Sequence, residues 1–162
     1  MALVRGKYSI DTSSLIAAWA ERYPERHFAP FWKRMETAFK SGLILMSREV
    51  FREIERKDED LLGWIKNCGV EAIEIGAEVM AEVKVIMANY PKLVDTRTGK
   101  SGADPFVIAL ARSNSPKLTV VTEEARGGTK DRPKIPFVCE QSDIAVSCTN
   151  LLGLIKAEDW RF

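Results

Sequence analysis

The sequence predicts an α/β fold in which a short, mostly parallel central sheet lies between layers of helices, a three-layer α/β/α sandwich. Short apolar or β-prone runs alternate along the chain with longer segments whose apolar residues recur at helical spacing. The apolar runs are continuous and do not alternate with polar residues, which is typical of strands that are covered on both faces. With 162 residues and no linker or internal repeat, the chain is predicted to form one domain over residues 1–162.

The first half of the chain predicts two strands and four helices. The strands are contiguous apolar or β-prone runs at 8–10 and 42–46. The helices are indicated by capping side chains where they begin and by Pro or Gly where they end. They begin at Leu15, Phe28, Ser47 and Leu61; Pro24 ends the first and Gly69 the last. A short extended segment is expected at 70–75.

The second half continues the alternation with two strands and three helices. An apolar stripe at i, i+3, i+4 and i+7 predicts a helix that ends before Pro91, and a loop follows over 92–102. Asp104 begins the next helix, because Pro105 suits its first turn. Strands are expected at 118–121 and 145–148, a polar loop at 126–136 and a last helix at 151–156.

Composition excludes several classes of function. The chain has 46% hydrophobic and 29% charged residues, which excludes a disordered or fibrous protein. Its 24 basic and 23 acidic residues give a net charge of +1, so any nucleic-acid surface must come from local clustering. Three cysteines without a CxxC pair and one histidine disfavour a cysteine zinc site, a disulfide framework and histidine-based catalysis. No signal segment or long apolar run is found, so an intracellular protein without a membrane span is expected.

Acidic residues follow three of the predicted strands. Asp11 comes directly after the first strand, Glu53 lies on the helix after the second, and Glu123 and Glu124 follow the third. Ligands of parallel α/β sheets bind beyond the carboxyl ends of the strands, so these side chains are expected at one rim. Asp104, at the start of a helix, is the fourth place where an acid is expected to contribute.

Each of these acids also has a plain structural explanation. Asp11 and Asp104 could cap helices, and Glu53 could pair with Lys57 four residues later. Their joint position favours a functional cluster. Carboxylates without histidine suit Mg²⁺ or Mn²⁺, which relieve the repulsion between like charges. Such ions activate water and neutralise charge on a phosphoryl oxygen, so hydrolysis of a phosphodiester is the expected reaction.

Four short segments resemble, in order, the motifs of PIN-domain (PilT N-terminus-like) nucleases. They are Ser9-Ile10-Asp11-Thr12-Ser13, Val50-x-x-Glu53-Ile54, Ala103-Asp104-Pro105-Phe106-Val107-Ile108-Ala109 and Val120-Val121-Thr122-Glu123-Glu124. The ending, from Ile135-Pro136 through Asn150-Leu151-Leu152 to Trp160-Arg161-Phe162, is similar to a less characterised PIN-like branch related to toxin–antitoxin ribonucleases. The resemblance covers almost the whole chain.

This resemblance implies a metal-dependent ribonuclease of the bacterial or archaeal cytoplasm, often the toxin of a toxin–antitoxin pair. Asp11, Glu53 and Asp104 would be the principal ligands of Mg²⁺ or Mn²⁺, and Glu124 would complete the acidic pocket. Hydrogen bonds that orient these carboxylates are expected from two hydroxyl groups, those of Thr12 and Thr122. The family also implies an RNA substrate, an antitoxin protein as partner and a homodimer.

The fourth motif departs from the family, which usually has Asp where this chain has Glu124. Two alternatives therefore stay open: Glu123 in place of Glu124, and Glu49, one helical turn earlier, in place of Glu53. A catalytically inactive PIN-like module that binds RNA or protein is the rival function, and the variant fourth motif is its best support.

Basic residues near these motifs are candidates for binding the RNA backbone. They are Arg97 and Lys100 before Asp104, and Arg126 and Lys130 in the Gly-containing loop after Glu124. Solvated loop charges are the alternative explanation for all four. The tryptophans are predicted to anchor a core or an interface and not to stack on bases.

Overall fold

A computed structural model of the chain describes residues 6–98 and 102–162. Its centre is a parallel sheet of four strands in the order β2-β1-β3-β4. The strands are β1 (Tyr8–Ile10), β2 (Ile44–Leu45), β3 (Thr119–Val121) and β4 (Cys148–Thr149). The predicted fold class, an α/β three-layer sandwich around a short parallel sheet, is confirmed.

Eight α-helices surround the sheet in the part of the chain that the structure describes. They are α1 (Thr12–Ala17), α2 (Ala29–Lys40), α3 (Arg48–Lys57), α4 (Glu59–Cys68), α5 (Ala77–Asn89), α6 (Asp104–Ser113), α7 (Ile135–Glu140) and α8 (Leu151–Ala157). A π-helical turn, Ala18–Arg22, continues α1, and a 3₁₀ turn, Pro91–Leu93, follows α5. Helix α4 ends at Gly69, whose left-handed backbone (φ 69°) suits glycine.

Several predicted boundaries are wrong, among them those of the second strand, which spans Ile44–Leu45 and not 42–46. The first helix begins at Thr12 and not at Leu15, because Asp11, with its extended backbone, is the N-cap residue and helical backbone follows it directly. The predicted polar loop 126–136 overlaps a helix, since Pro136 lies in the first turn of α7 and does not prolong the loop. Strand β4 begins at Cys148 and not at 145, because Ala145 has a φ of 51° that no strand residue adopts. In the expected extended segment 70–75, Ile73 forms a parallel bridge with Ser47, in agreement with that expectation.

The sheet is covered on both faces, as the continuous apolar runs predicted. Ile10, Val120 and Val121 are fully buried, and β1 lies between β2 and β3. Helix α6 packs on β1 and β3, and Ser9 Oγ donates a 2.8 Å hydrogen bond to the Val107 carbonyl of that helix. This bond fixes the beginning of α6 relative to the end of β1.

Trp32 and Trp160 are buried and Trp19 and Trp64 are half-buried against the core, in agreement with their predicted role as anchors. Trp32 is 1% exposed, its ring contacts those of Trp19 and Trp64 at centroid distances of 5.0 and 4.9 Å, and Trp160 is also buried. Among the described residues, no helix combines the length and apolar character that a membrane crossing needs.

Candidate metal centre

Three carboxylates from distant parts of the chain meet at the carboxyl edge of the sheet. Asp11 follows β1, Asp104 is the first residue of α6, and Glu124 is the third residue after β3. One oxygen of each lies within 4.8 Å of the other two, and we call this group the acidic cluster. The meeting occurs because β1 and β3 are parallel neighbours that end together, with Ile10 opposite Val121.

Capping does not explain the two aspartates. Asp11 occupies the N-cap position of α1, but its carboxylate accepts no capping hydrogen bond from the backbone N–H groups of that helix. Asp104 follows the N-cap residue of α6, Ala103, and no described residue donates a hydrogen bond to its carboxylate although it is only 6% exposed. A buried carboxylate without donors is costly unless it is protonated or binds a cation.

Glu53 lines the same cleft but is not part of the acidic cluster. Its Oε1 accepts a 2.8 Å hydrogen bond from the backbone N–H of Ala103, and its Oε2 lies 3.3 Å from Lys57 Nζ. Each oxygen therefore already has one partner, and the first contact holds Ala103, the residue next to Asp104. In this arrangement Glu53 positions the start of α6 as well as adding negative charge.

The structure separates the alternative acids. Glu123 accepts a 2.9 Å hydrogen bond from the Leu151 N–H and pairs with Arg22, so it points away from the cluster. Glu49 pairs with Arg52 at 2.6 Å. Of each candidate pair, Glu124 and Glu53 are the residues that line the cleft.

Two hydroxyl groups hold Asp11 in place. Ser13 Oγ and Thr122 Oγ1 both donate to Asp11 Oδ2, at 2.6 and 2.9 Å, and no described residue donates to Oδ1. Thr122 Oγ1 also accepts from the Glu124 N–H at 3.1 Å, so one hydroxyl ties two members of the cluster together. The sequence pointed to Thr12 and Thr122 for this role; Ser13, not Thr12, bonds to Asp11.

Thr12 has a different environment. Its Oγ1 is buried in the cleft wall and has no hydrogen-bond partner among the described residues. Unpaired buried hydroxyls are uncommon and costly.

The cluster brings like charges together in a largely buried place, and both features raise the pKa values of its carboxyls. Burial raises the pKa of Asp11 to about 6, against the hydroxyl bonds that lower it, and Glu124 and Glu53 add to the rise. Burial raises the pKa of Asp104 to about 9, helped by Asp11, Glu124 and Glu53. A divalent cation would reverse both shifts, because it favours the charged form of each carboxyl.

The cleft itself has a volume of about 410 Å³. Its apolar lining comes from Ile16, Ala17 and Ala20, and the π-helical turn adds the acid Glu21. Lys57 supplies a cation, and half of its side chain is exposed. The sequence predicts Lys57 only as a partner of Glu53, and the same i, i+4 spacing places its side chain in the cleft lining.

The predicted RNA-binding residues are dispersed. Arg97 is 90% exposed and lies near Asp95, outside the cleft lining. Arg126, 3.8 Å from Glu140, lines a neighbouring cavity, and Lys130 is exposed. Lys100 lies outside the described residues.

The chain matches the model of the family described as "Domain of unknown function (DUF4411)" over residues 8–162 and therefore belongs to that family. It shows no match among curated proteins or among solved structures. The matched region contains the whole acidic cluster, so the cleft is part of the domain that defines the family.

The residues of the cleft fit a hard divalent cation. Three carboxylate oxygens that converge without histidine or cysteine are the donor set that Mg²⁺ and Mn²⁺ prefer. The carboxylate of Asp104 is 6% exposed and accepts no hydrogen bond from a described residue, so it lacks the partner that a cation would supply.

Proposed function

We propose that this protein is a Mg²⁺- or Mn²⁺-dependent ribonuclease that hydrolyses phosphodiester bonds of RNA in the cleft of the acidic cluster. The observation that carries the proposal is the convergence, within 4.8 Å, of one oxygen each from Asp11, Asp104 and Glu124 in a partly buried cleft. Their order along the chain and their motifs resemble those of PIN-domain nucleases, which supports phosphodiester hydrolysis over other reactions of a carboxylate-bound ion.

In this proposal the three carboxylates of the acidic cluster hold the ion. When bound, such an ion lowers the pKa of its water and neutralises charge that develops on a phosphoryl oxygen. Ser13 and Thr122 hold Asp11 in one orientation, and Glu53 holds the start of α6 and with it Asp104. Lys57, at the rim, is the cation of the cleft lining that can contact a phosphate oxygen.

The resemblance extends the proposal to the cellular role. It favours a toxin of a toxin–antitoxin pair that acts in the cytoplasm, with an antitoxin protein and a second copy of the chain as partners. A small protein encoded beside this chain that suppresses its activity would support the toxin role, and a monomer at micromolar concentration in light scattering would count against the dimer.

The rival is a PIN-like module that has lost catalysis and binds RNA or protein. The observation in its favour is that Glu124 stands where the family usually has Asp and that its Oε2 accepts a 2.8 Å hydrogen bond from the Ile135 N–H. One of its oxygens is therefore engaged by the start of α7.

The test is cleavage of single-stranded RNA in the presence of Mn²⁺. Asp11→Asn and Asp104→Asn should each reduce cleavage by more than about a hundredfold, because the ion loses a charged ligand. Asp131→Asn is the matched control, since its side chain is 88% exposed and is not among the residues that line the cleft. Cleavage that persists in both cluster variants would end the assignment.

Calorimetric titration with Mn²⁺ separates the two functions when no cleavage is found. If the protein binds Mn²⁺ and Asp11→Asn abolishes that binding, the nuclease proposal stands and other RNA substrates are tested. No binding at all would favour the inactive module.

A further inference from the structure

A second cavity, of about 350 Å³, adjoins the acidic cleft, and we call it the side cavity. Its lining includes the residues that follow β3 and the end of β4, so it opens at the same carboxyl edge of the sheet. Glu124 lines both spaces, and Thr122, which bonds to Asp11, also lines the side cavity. A molecule that reaches from the cluster past Glu124 therefore enters the side cavity.

The charges of the side cavity are nearly balanced, with one acid in excess, whereas acids predominate in the cleft. Its two guanidinium groups lie beside carboxylates: Arg22 pairs with Glu123, and Arg126 lies 3.8 Å from Glu140. Together with Glu124, three acids and two bases line the space. This balance disfavours a further phosphate and suits a polar, uncharged group.

Arg22 offers a flat surface that is held in place. Its partner Glu123 has 8% of its side chain exposed and is fixed by the 2.9 Å hydrogen bond from the Leu151 N–H. Guanidinium planes are platforms on which unstacked RNA bases lie, and an arginine already paired with a carboxylate loses little freedom when a base stacks on it.

Asn150 offers an oriented donor in the same cavity. Its Oδ1 accepts a 2.8 Å hydrogen bond from the Gly153 N–H and so caps α8. Because Oδ1 is the end that accepts this bond, the other end of the amide is the NH₂ group. No described residue accepts a hydrogen bond from that NH₂ group. Asparagine NH₂ groups pair with acceptor atoms on the edges of bases.

We propose that the side cavity binds the nucleoside adjacent to the phosphodiester held at the acidic cluster, with its base stacked on Arg22 and an acceptor of its edge paired with the Asn150 amide. The inference rests on the proposed ribonuclease function and names the group of the RNA that is recognised beside the reacting bond.

The test compares the binding of nucleotides and of a sugar phosphate that has no base. The wild-type protein with Mg²⁺ is titrated calorimetrically with the four nucleoside 5′-monophosphates and with ribose 5-phosphate. At least one nucleotide should bind about tenfold more tightly than ribose 5-phosphate, because only it carries a base.

Two conservative variants locate the effect. Asn150→Ser keeps a side-chain oxygen that caps α8 but removes the NH₂ group. Arg22→Lys keeps the charge beside Glu123 but removes the plane. Each should reduce the preference for the nucleotide to about threefold or less, with unchanged binding of ribose 5-phosphate and of Mn²⁺. Arg161→Lys, in an exposed pair with Asp159, is the control and should keep the preference.

Equal binding of nucleotides and ribose 5-phosphate by the wild type, or a preference that neither variant reduces, would overturn the inference. The two proposals fail separately. Asp11-dependent Mn²⁺ binding and RNA cleavage without any base preference would remove only the nucleoside site. If the wild type prefers a nucleotide and both variants lose that preference, but the protein does not bind Mn²⁺, the nucleotide-binding cavity is supported and the proposed ribonuclease function is contradicted.

Discussion

The clearest consequence of the acidic cluster is that, without metal, it destabilises the fold at neutral pH. Asp104 has its pKa raised from 3.8 to about 9, mainly by burial and then by Asp11 and Glu124. Between pH 3.8 and 9 the unfolded chain releases this proton and the folded protein retains it. Stability contributed by this group is therefore complete below about pH 4 and is lost as the pH rises towards 9.

The magnitude follows from the width of that window. At about pH 7.5 the folded protein still holds this proton, although the pH is nearly four units above the pKa in the unfolded chain. Each unit corresponds to about 1.36 kcal/mol, so the free energy of unfolding is lowered by about 5 kcal/mol relative to low pH. Asp104→Asn keeps a neutral group of similar size and never ionises. We expect the variant to be more stable than wild type by about 2–5 kcal/mol, the lower value allowing for relaxation of Asp11 and for the amide's own need of partners.

The assay is thermal unfolding in a chelator at about pH 4 and about pH 8. Asp104→Asn should raise Tm by at least about 4 °C at the higher pH, since each kcal/mol corresponds to about 2–4 °C for a chain of this length. At the lower pH the two proteins should differ little. With excess Mn²⁺ the advantage should shrink or reverse, because binding stabilises only the protein that retains all its ligands.

A lower Tm of Asp104→Asn in chelator at about pH 8 would refute this reasoning, since it would mean that the carboxylate stabilises the metal-free fold. Asp131→Asn is the matched control: the same chemical change on a surface side chain should leave Tm almost unchanged at both pH values.

Two further predictions concern the residues around the cluster. In urea unfolding of the metal-free protein, Thr12→Val should leave the free energy of unfolding unchanged or slightly higher, because the lost hydroxyl has no partner. Thr122→Val should lower the free energy of unfolding by about 1–3 kcal/mol, because its hydroxyl bonds to Asp11 and Glu124. Equal effects of the two changes would contradict the hydrogen-bond assignment. Glu53→Ala should lower the free energy of unfolding by about 1–3 kcal/mol, because it leaves the Ala103 N–H unpaired. Glu53→Gln should keep most of that stability, because its amide oxygen can accept the same hydrogen bond. If the two variants unfold at the same urea concentration, Glu53 does not hold the start of α6 in this way.

Much of the fold and the approximate place of the site can be predicted from local patterns. Continuous apolar runs such as the one ending at Ile10 indicate buried parallel strands, and residues that directly follow such strands must lie at one edge of the sheet. Asp11 and the pair Glu123 and Glu124 could therefore be placed at that edge from the sequence, whereas the role of Asp104 came from the resemblance of its motif to PIN-domain nucleases. Shorter elements were missed where a local signal is ambiguous, as with Pro136, which suits both a loop and a first helical turn.

The sequence by itself determined the parallel α/β architecture and the set of acids that the sheet edge gathers, because helix and strand periodicity and the position after a strand are properties of neighbouring residues. Only the tertiary structure decided which oxygens converge. Glu123 and Glu124 are adjacent, yet one turns to the Leu151 N–H and Arg22 and the other to the cluster, and Glu53 reaches an N–H group fifty residues away. Such choices depend on where distant segments of the chain bring donors and charges, and no local pattern contains that information.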